Sequence, residues 1–404
     1  MGRKTCQART GSRYRGRRLR NRRLFVLSSR DARNNVDAPQ AALENSRSVV
    51  SYVNRLIFIA MIVSGCGSSG PGGAAGGTTG SAGTGGTDGV ALPDDTPCDP
   101  SIGLASSVCF AGNWCSTQPP SRGRLAVWGS SPSDVWTGGA GSLVHWDGRA
   151  WSIVTSAAGT PGSAQNAWSI SAISGSSATD VWAVGGDGYN GIILHWDGAV
   201  WTTIAKGPGW PIFSGVWSSG PSDAWAVGSD IRHWNGSAWS VAVSNVLLQD
   251  VWGTGANDVW AVGSTGAIRH WDGAVWSTVA SGSTASFNAV WGSGPSDVWA
   301  VGASSQSAGT ILHWNGSAWS ATTGSIPGLR SVWGSGSDDV WAISNTPPRG
   351  AILHWNGSAW SAVASDTPIL YGVWGSGRDD FWAVGSESEA LCSAAITLHH
   401  GAAP

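Results

Sequence analysis

Three features of the 404-residue sequence predict an all-β protein, a seven-bladed β-propeller closed by an N-terminal strand. A tryptophan-rich phrase recurs seven times. Each complete copy reads as two hairpins. The last copy lacks a fourth strand, which a segment near residue 114 supplies. The phrase is plainest in VWGSGPSDVWAVG at 290–302, with near-copies at 251–263 and 332–344. Aligned on the Asp before its second Trp, it recurs at Asp134, Asp180, Asp223, Asp258, Asp297, Asp339 and Asp380, spaced 35 to 46 residues apart. A steady period of this size marks a repeat architecture.

Within a copy the first strand reads AVWGS and the second DVWAVG, joined by a Gly/Pro/Ser turn. The third, ILHW, and the fourth, SAWSA, are joined by Asn-Gly or Asp-Gly, the strongest short hairpin signal. Trp128, Trp217, Trp252, Trp291, Trp333 and Trp374 occupy the first-strand slot, with Ser174 in its place in the second copy. Four short strands per unit, seven times over, specify a seven-bladed propeller. The run 112–116 (GNWCS) matches the fourth-strand GSAWS, and Trp114 precedes Trp128 by 14 residues, the spacing of Trp319 to Trp333. The final copy stops at 396–401, so the strand around Trp114 should pair with the one around Leu398. Closing the ring removes exposed sheet edges.

Three regions follow: residues 1–65 as leader, 66–97 as a flexible Gly/Ser linker, and 98–404 as the propeller. In the leader, LIFIAMIV at 56–63 follows Arg55 and precedes Ser64, Gly65 and Cys66. Eight apolar residues are too few to span the ~30 Å hydrocarbon core. Residues 1–50 read as a stretch upstream of the true start or as one removed or disordered, and they stand outside the fold argument. The linker at 67–90 would reach roughly 25–30 Å as a random coil.

The segment Val63-Ser64-Gly65-Cys66 resembles the lipobox of bacterial lipoproteins. That resemblance implies lipidation of Cys66, export, and attachment of the propeller to an envelope membrane, the outer one, through the lipid alone. The repeat over 112–401 resembles Trp-rich propeller repeats of bacterial secreted lipoproteins and is loosely similar to BNR/Asp-box, Kelch and tectonin propellers. It differs from the Asp-box in having Val, Ala or Phe after the Asp, from Kelch in lacking the Gly-Gly pair, and from WD40 in the order of its motif. What the resemblance implies is a fold and a binding role, not a reaction.

Charge excludes one partner class. Residues 66–404 hold nine Lys and Arg against 22 Asp and Glu, so nucleic acid is not an expected ligand. Seven of the eight His lead the His-Trp position and read as structural. The repeated Asp is expected to accept backbone amides in the first turn. With two Glu beyond the leader (Glu387 and Glu389), no Cys-x-x-Cys pair and no His outside the repeat, neither catalytic residues nor a metal or cofactor is expected. The remaining cysteines, Cys98, Cys109, Cys115 and Cys392, allow two disulfides in three connectivities, with a bridge from the 98–115 segment to Cys392 expected. Trp168 and Trp210 are the tryptophans that neither the repeat nor the closing strand explains. They lie in connections on the face whose loop lengths vary, beside Gln165, Asn166, Asp187, Tyr189, Asn190, Lys206, Gln306, Arg330, Arg349 and Glu387. If solvent-facing, they are stacking platforms for a glycan or protein ligand; if folded under their loops, they are loop cores. The expectation is a monomeric, non-catalytic binding protein. A polysaccharide hydrolase on a propeller scaffold and a structural envelope component are the alternatives.

Overall fold

The computed structural model describes residues 109–110, 114–117, 124–140, 142–154, 168–305, 308–322, 326–346, 350–386 and 395–400. The leader, the linker, Cys66, Cys98, Gln165, Asn166, Gln306, Arg349, Glu387 and Cys392 lie outside the described residues, and of Cys109 and Cys115 only the backbone is described. The expected disulfides and the lipidation site therefore fall outside them too.

The described strands form seven antiparallel sheets, six of four strands and one of five. Blades 1 to 7 begin with the first strands Arg124–Ser131, Ser169–Ser177, Phe213–Gly220, Leu248–Gly255, Ser286–Gly294, Leu329–Gly336 and Ile369–Gly377. Consecutive first strands pack side by side around the axis, and that of blade 7 packs against that of blade 1. Blade 7 is completed from the N-terminus: Trp114–Thr117 pairs with Ala395–His400, Trp114 opposite His400 and Ser116 opposite Leu398. Cys109–Phe110 adds a fifth strand outside it, Cys109 opposite Cys115. Blade count and closing strand are those the sequence predicts. The first strands are longer than AVWGS, starting two or three residues earlier, and that extension proves to matter.

Each blade is fastened by the same four side chains. The repeated Asp accepts a hydrogen bond at 2.5 or 2.6 Å from a Ser or Thr hydroxyl four residues earlier, as in Ser130 to Asp134, Thr254 to Asp258 and Ser376 to Asp380. Its other oxygen meets the Nε2 of the third-strand His at 2.6 or 2.7 Å, in all seven blades. The second-strand Trp stacks on that imidazole at 4.0 to 4.2 Å. This corrects the expected role of the Asp: its recorded partners are side chains. The amide-accepting role belongs instead to the residue after His-Trp, as where Asn235 Oδ1 accepts from Ser237 N and Ala238 N. Burial raises the carboxyls of Asp134, Asp180 and Asp380, but the His and Ser bonds outweigh it and hold them below the ordinary Asp value.

Tryptophan also joins the blades. Trp260 meets Trp314 of the next blade at 5.2 Å and Trp319 edge-on at 5.5 Å. The same triplet recurs around the ring, and Trp382 of blade 7 meets Trp146 and Trp151 of blade 1. At the seam between blades 6 and 7 the partners change: Trp341 packs on Phe381 and His400.

A second contact explains the glycines of the VWG motif. The first-strand Trp lies on the backbone of the next blade, where a Cβ on Gly253 would meet Trp217 at 2.8 Å and one on Gly292 would meet Trp252 at 2.7 Å. The rule holds for Trp128 on Gly175, Trp291 on Gly334, Trp333 on Gly375 and Trp374 on Gly129. In blade 2 the slot holds Ser174, and blade 3 carries Ser218 in place of the glycine. With no indole to admit, Ser218 keeps its side chain and bonds Asp180 at 3.1 Å. The substitution in one blade thus explains that in the next.

The contact predicts a contrast between neighbouring glycines. Gly253→Ala should destabilise the chain by about 1–3 kcal/mol through overpacking. Gly255→Ala, where an added Cβ meets nothing within 4 Å, should stay within about 0.5 kcal/mol of wild type. Urea unfolding of both variants checks this, and equal effects would refute the packing argument.

Candidate functional site

The first strands slip register at two repeated positions, one beside the tight turn and one near their N-terminal ends, and the second concerns the site. Three residues before the first-strand slot the register slips by one, in every blade. Phe213 pairs with Gly228 and Gly215 with Val227, so Ser214 has no opposite number. Gln249, Asn288, Arg330 and Tyr371 are skipped in the same way, as are Leu125 and Ser171. A bulge of this kind re-aims a side chain that the pleat would otherwise direct to a sheet face. Six of the seven skipped residues (Ser171, Ser214, Gln249, Asn288, Arg330 and Tyr371) line a cavity of about 130 Å³ at the axis. The following position supplies Ala126, Ala172, Asp250, Ala289, Ser331 and Gly372 to the same wall, from every blade but the third.

The cavity is lopsided. Long polar side chains come from blades 4 to 7, while blades 1 to 3 contribute serines, alanines and aliphatic groups. It lies at the N-terminal ends of the first strands, on the face that carries the second-to-third loops and the blade-to-blade connections. Those loops are bonded to one another there, as in Gly191 N to Trp210 O at 2.8 Å and Gly309 N to Ile326 O at 2.7 Å. The uniform face holds the tight turns.

The polar groups are partly spent on the ring itself. A first strand bonds its second strand on one edge and presents the other to the neighbouring blade. Asp250 answers that need: Oδ2 accepts from Val290 N of blade 5 and Oδ1 from Val251 N, both at 2.9 Å. Ser331 accepts from Val373 N at 3.4 Å, and Asn288 donates to Leu329 O at 2.7 Å. Burial deep in the ring pushes the Asp250 carboxyl up to about 7, against the lowering pull of the two amides and the Arg330 charge. Burial likewise pulls Arg330 down from its usual value, opposed by Asp250 and Tyr371. A guanidinium nevertheless stays charged in a protein. Its one recorded bond, Nη1 to Asn288 Oδ1, is long at 3.5 Å. Among the described residues Arg330 has no ion-pair partner within 4.0 Å.

The loop residues singled out in the sequence are not gathered into one site. Trp168 is 9% exposed and belongs to the core between blades 1 and 2, in a cluster with Ala126, Ile170 and Leu194, with Lys206 Nζ 5.0 Å from its ring. It is a core residue, not a solvent-facing platform. Trp210 is half-buried, and its ring carries the Arg232 guanidinium at 4.2 Å. Asp187 is buried enough to raise its carboxyl, but amides of Asn190 and Tyr189 at 2.6 and 2.9 Å outweigh this and hold it below the ordinary value. Asp187 and Asn190 thus shape the loop, and Tyr189, 88% exposed, projects from it. Of the residues named for the variable face, Arg330 reaches the cavity. The others there were missed. Their signal was a position that varies among the copies of an otherwise repeated strand, with Ser shared by blades 2 and 3 alone.

Among the described residues no cluster of three or more His, Cys, Asp or Glu is placed to hold a metal ion. The ring and its axial cavity define a β-propeller with a polar axial mouth. No family model matches the chain, and no curated protein matches it by sequence. Solved propellers do match by fold. A structure of YCF48 bound to D1 peptide aligns with TM-score 0.57 at 16% identity, over 74% of this chain and all of that one. U3-55K aligns with 0.57 at 12%, over 72% of this chain and all of that one, and the RRP9 WD40 repeats with 0.54 at 12%, over 70% and 99%. At such identities the likeness is one of fold.

Asp250 gives a pH prediction. A carboxyl that titrates higher in the folded than in the unfolded state keeps its proton longer when folded, so stability falls as pH rises from 3.8 to about 7. Asp250→Asn removes that contribution. Its stability relative to wild type should therefore rise between about pH 5 and about pH 8, read by urea unfolding. Parallel stability curves would show that Asp250 titrates normally.

Proposed function

We propose that the chain is a non-catalytic binding protein whose variable face, centred on the axial cavity, takes up a protein segment. The observation that carries this reading is the ring of bulged residues. In strands that otherwise repeat, the position skipped at the bulge is Ser in blades 2 and 3 but Gln249, Asn288, Arg330 and Tyr371 in blades 4 to 7, and a purely structural ring has no need of Gln249, Arg330 and Tyr371 there. Loops that vary on the same face add a rim. A propeller of the same fold has been solved with a peptide bound, which favours a peptide over the glycan also expected from the sequence. The glycan reading keeps one supporting feature, the exposed ring of Tyr189.

The location belongs to the same proposal. The lipobox-like segment ending at Cys66 and the Gly/Ser run behind it support a lipid-anchored envelope protein held off the membrane by a tether. Among the described residues no helix is long and apolar enough to cross a membrane.

Peptide and glycan arrays probed with the full chain test the binding reading. Peptide ligands are expected, with affinity reduced at least about tenfold in Tyr371→Ala and Gln249→Ala, the size of loss typical of central contact residues. Ligands indifferent to both variants, or glycans alone, would overturn it. Separately, Cys66→Ala should release the protein from membranes; a variant that still sediments with them after a high-salt wash would refute the anchor.

A further inference from the structure

The axial cavity has a chemical preference, and Arg330 indicates it. The side chain is half-buried in the cavity wall, sits on a bulge, and carries five N–H donors in a planar fork. Its one bond among the described residues is the long contact with Asn288. The nearest opposite charge, Asp250, does not satisfy it. The two side chains form no ion pair within 4.0 Å, and both Asp250 oxygens are taken by the amides of Val251 and Val290. A half-buried cation without a matching acceptor favours an anionic ligand, and a planar fork is suited to a bidentate oxyanion. Around it Gln249, Asn288 and Tyr371 offer amide and hydroxyl groups. The small residues of blades 1 to 3 leave the opposite half open. A volume of about 130 Å³ holds one side chain or a molecule of a few heavy atoms, not a folded surface.

We propose that the axial cavity is a carboxylate receptor, in which Arg330 receives the acidic group of a Glu or Asp side chain presented by the partner, or of a small free carboxylate. The proposal rests on the axial-site reading above and gives that site its ligand class. Asp250, Arg330 and Tyr371 are the titratable groups that the first strands contribute to the cavity wall. With Asp250 protonated, below about 7, the charge facing an incoming carboxylate is that of Arg330 alone. Above it, Asp250 adds a negative charge to the same wall. Carboxylate binding should therefore weaken as the solution turns alkaline, although the carboxylate itself stays ionised.

Calorimetry on the full chain tests this with three probes: the capped tripeptide Gly-Glu-Gly, its Gly-Gln-Gly counterpart and glutarate. At about pH 6 the Glu peptide should bind at least about tenfold more tightly than the Gln peptide, a difference of about 1.4 kcal/mol. Arg330→Gln should abolish that preference and Arg330→Lys should keep part of it, so a folded pair of variants separates lost charge from lost structure. Raising the pH to about 8 should reduce the preference in wild type and leave it unchanged in Asp250→Asn. If glutarate binds as tightly as the Glu peptide, the natural source is a free carboxylate; if it binds at least about tenfold more weakly, the source is a side chain on a chain. Equal binding of the Glu and Gln peptides, or no binding of the Glu peptide up to ~20 mM, well past the ~1 mM of a −4 kcal/mol interaction, would overturn the proposal. Array ligands lost in Tyr371→Ala without any Glu-over-Gln preference would sink the carboxylate assignment and leave the axial reading intact. A clear Glu preference with empty arrays would do the reverse.

Discussion

The second-strand tryptophan is the part on which the ring depends. Each is clamped in its own blade by the imidazole it stacks on, which is itself held by the repeated Asp, and each drives its other side between the Trp pair of the next blade. One side chain thus sets both the internal geometry of a blade and its angle to a neighbour. Aromatic groups contribute large buried area and a preferred edge-to-face geometry, so the contact fixes orientation as well as adding stability. With few Lys and Glu in the propeller to make surface ion pairs, most of the inter-blade hold falls to these rings. The seam between blades 6 and 7 departs from the pattern because the blade that closes the ring is assembled from both ends of the domain, and there Trp341 packs on His400, which holds the third-strand Trp slot, and on Phe381.

A rigid ring permits irregularity at its axis. The second strands and tight turns have no freedom to vary without disturbing the clamp, and they repeat closely. The bulged position has no opposite number on the second strand, so each copy can carry a different side chain there. Asp250, Ser331 and Asn288 show the constraint that remains: some of these polar groups must serve the free edges of adjacent first strands before any can serve a ligand. Arg330 is the group left over.

The sequence was most informative where its physics is periodic. Seven copies, two hairpins each and an orphan strand at Trp114 determine the blade count and the closure, since strand pairing in a propeller follows sequence order. The structural role of the histidines was legible for the same reason. The partners of the repeated Asp were not, because a Ser four residues earlier is unremarkable in a chain rich in serine. The cavity was hidden for a different reason. A bulge breaks the two-residue alternation by which a strand's faces are read, so Gln249, Asn288 and Tyr371 looked like the tail of a connecting loop. Trp168 drew attention as an exception to the repeat, yet it packs in the core between blades 1 and 2.

The closing strand has a mechanical meaning. The chain enters the propeller at its rim, through Cys109–Phe110 and then Trp114–Thr117, both on the outermost side of blade 7. Tension along the N-terminal chain is therefore applied to the clasp that shuts the ring, and not to the axis or the variable face. Four backbone pairs with Ala395–His400 bear that load before any other blade feels it. A pull strong enough to peel the clasp would expose the free edge of blade 7 next to Phe381 and Trp341, making this seam the point from which the ring opens under force.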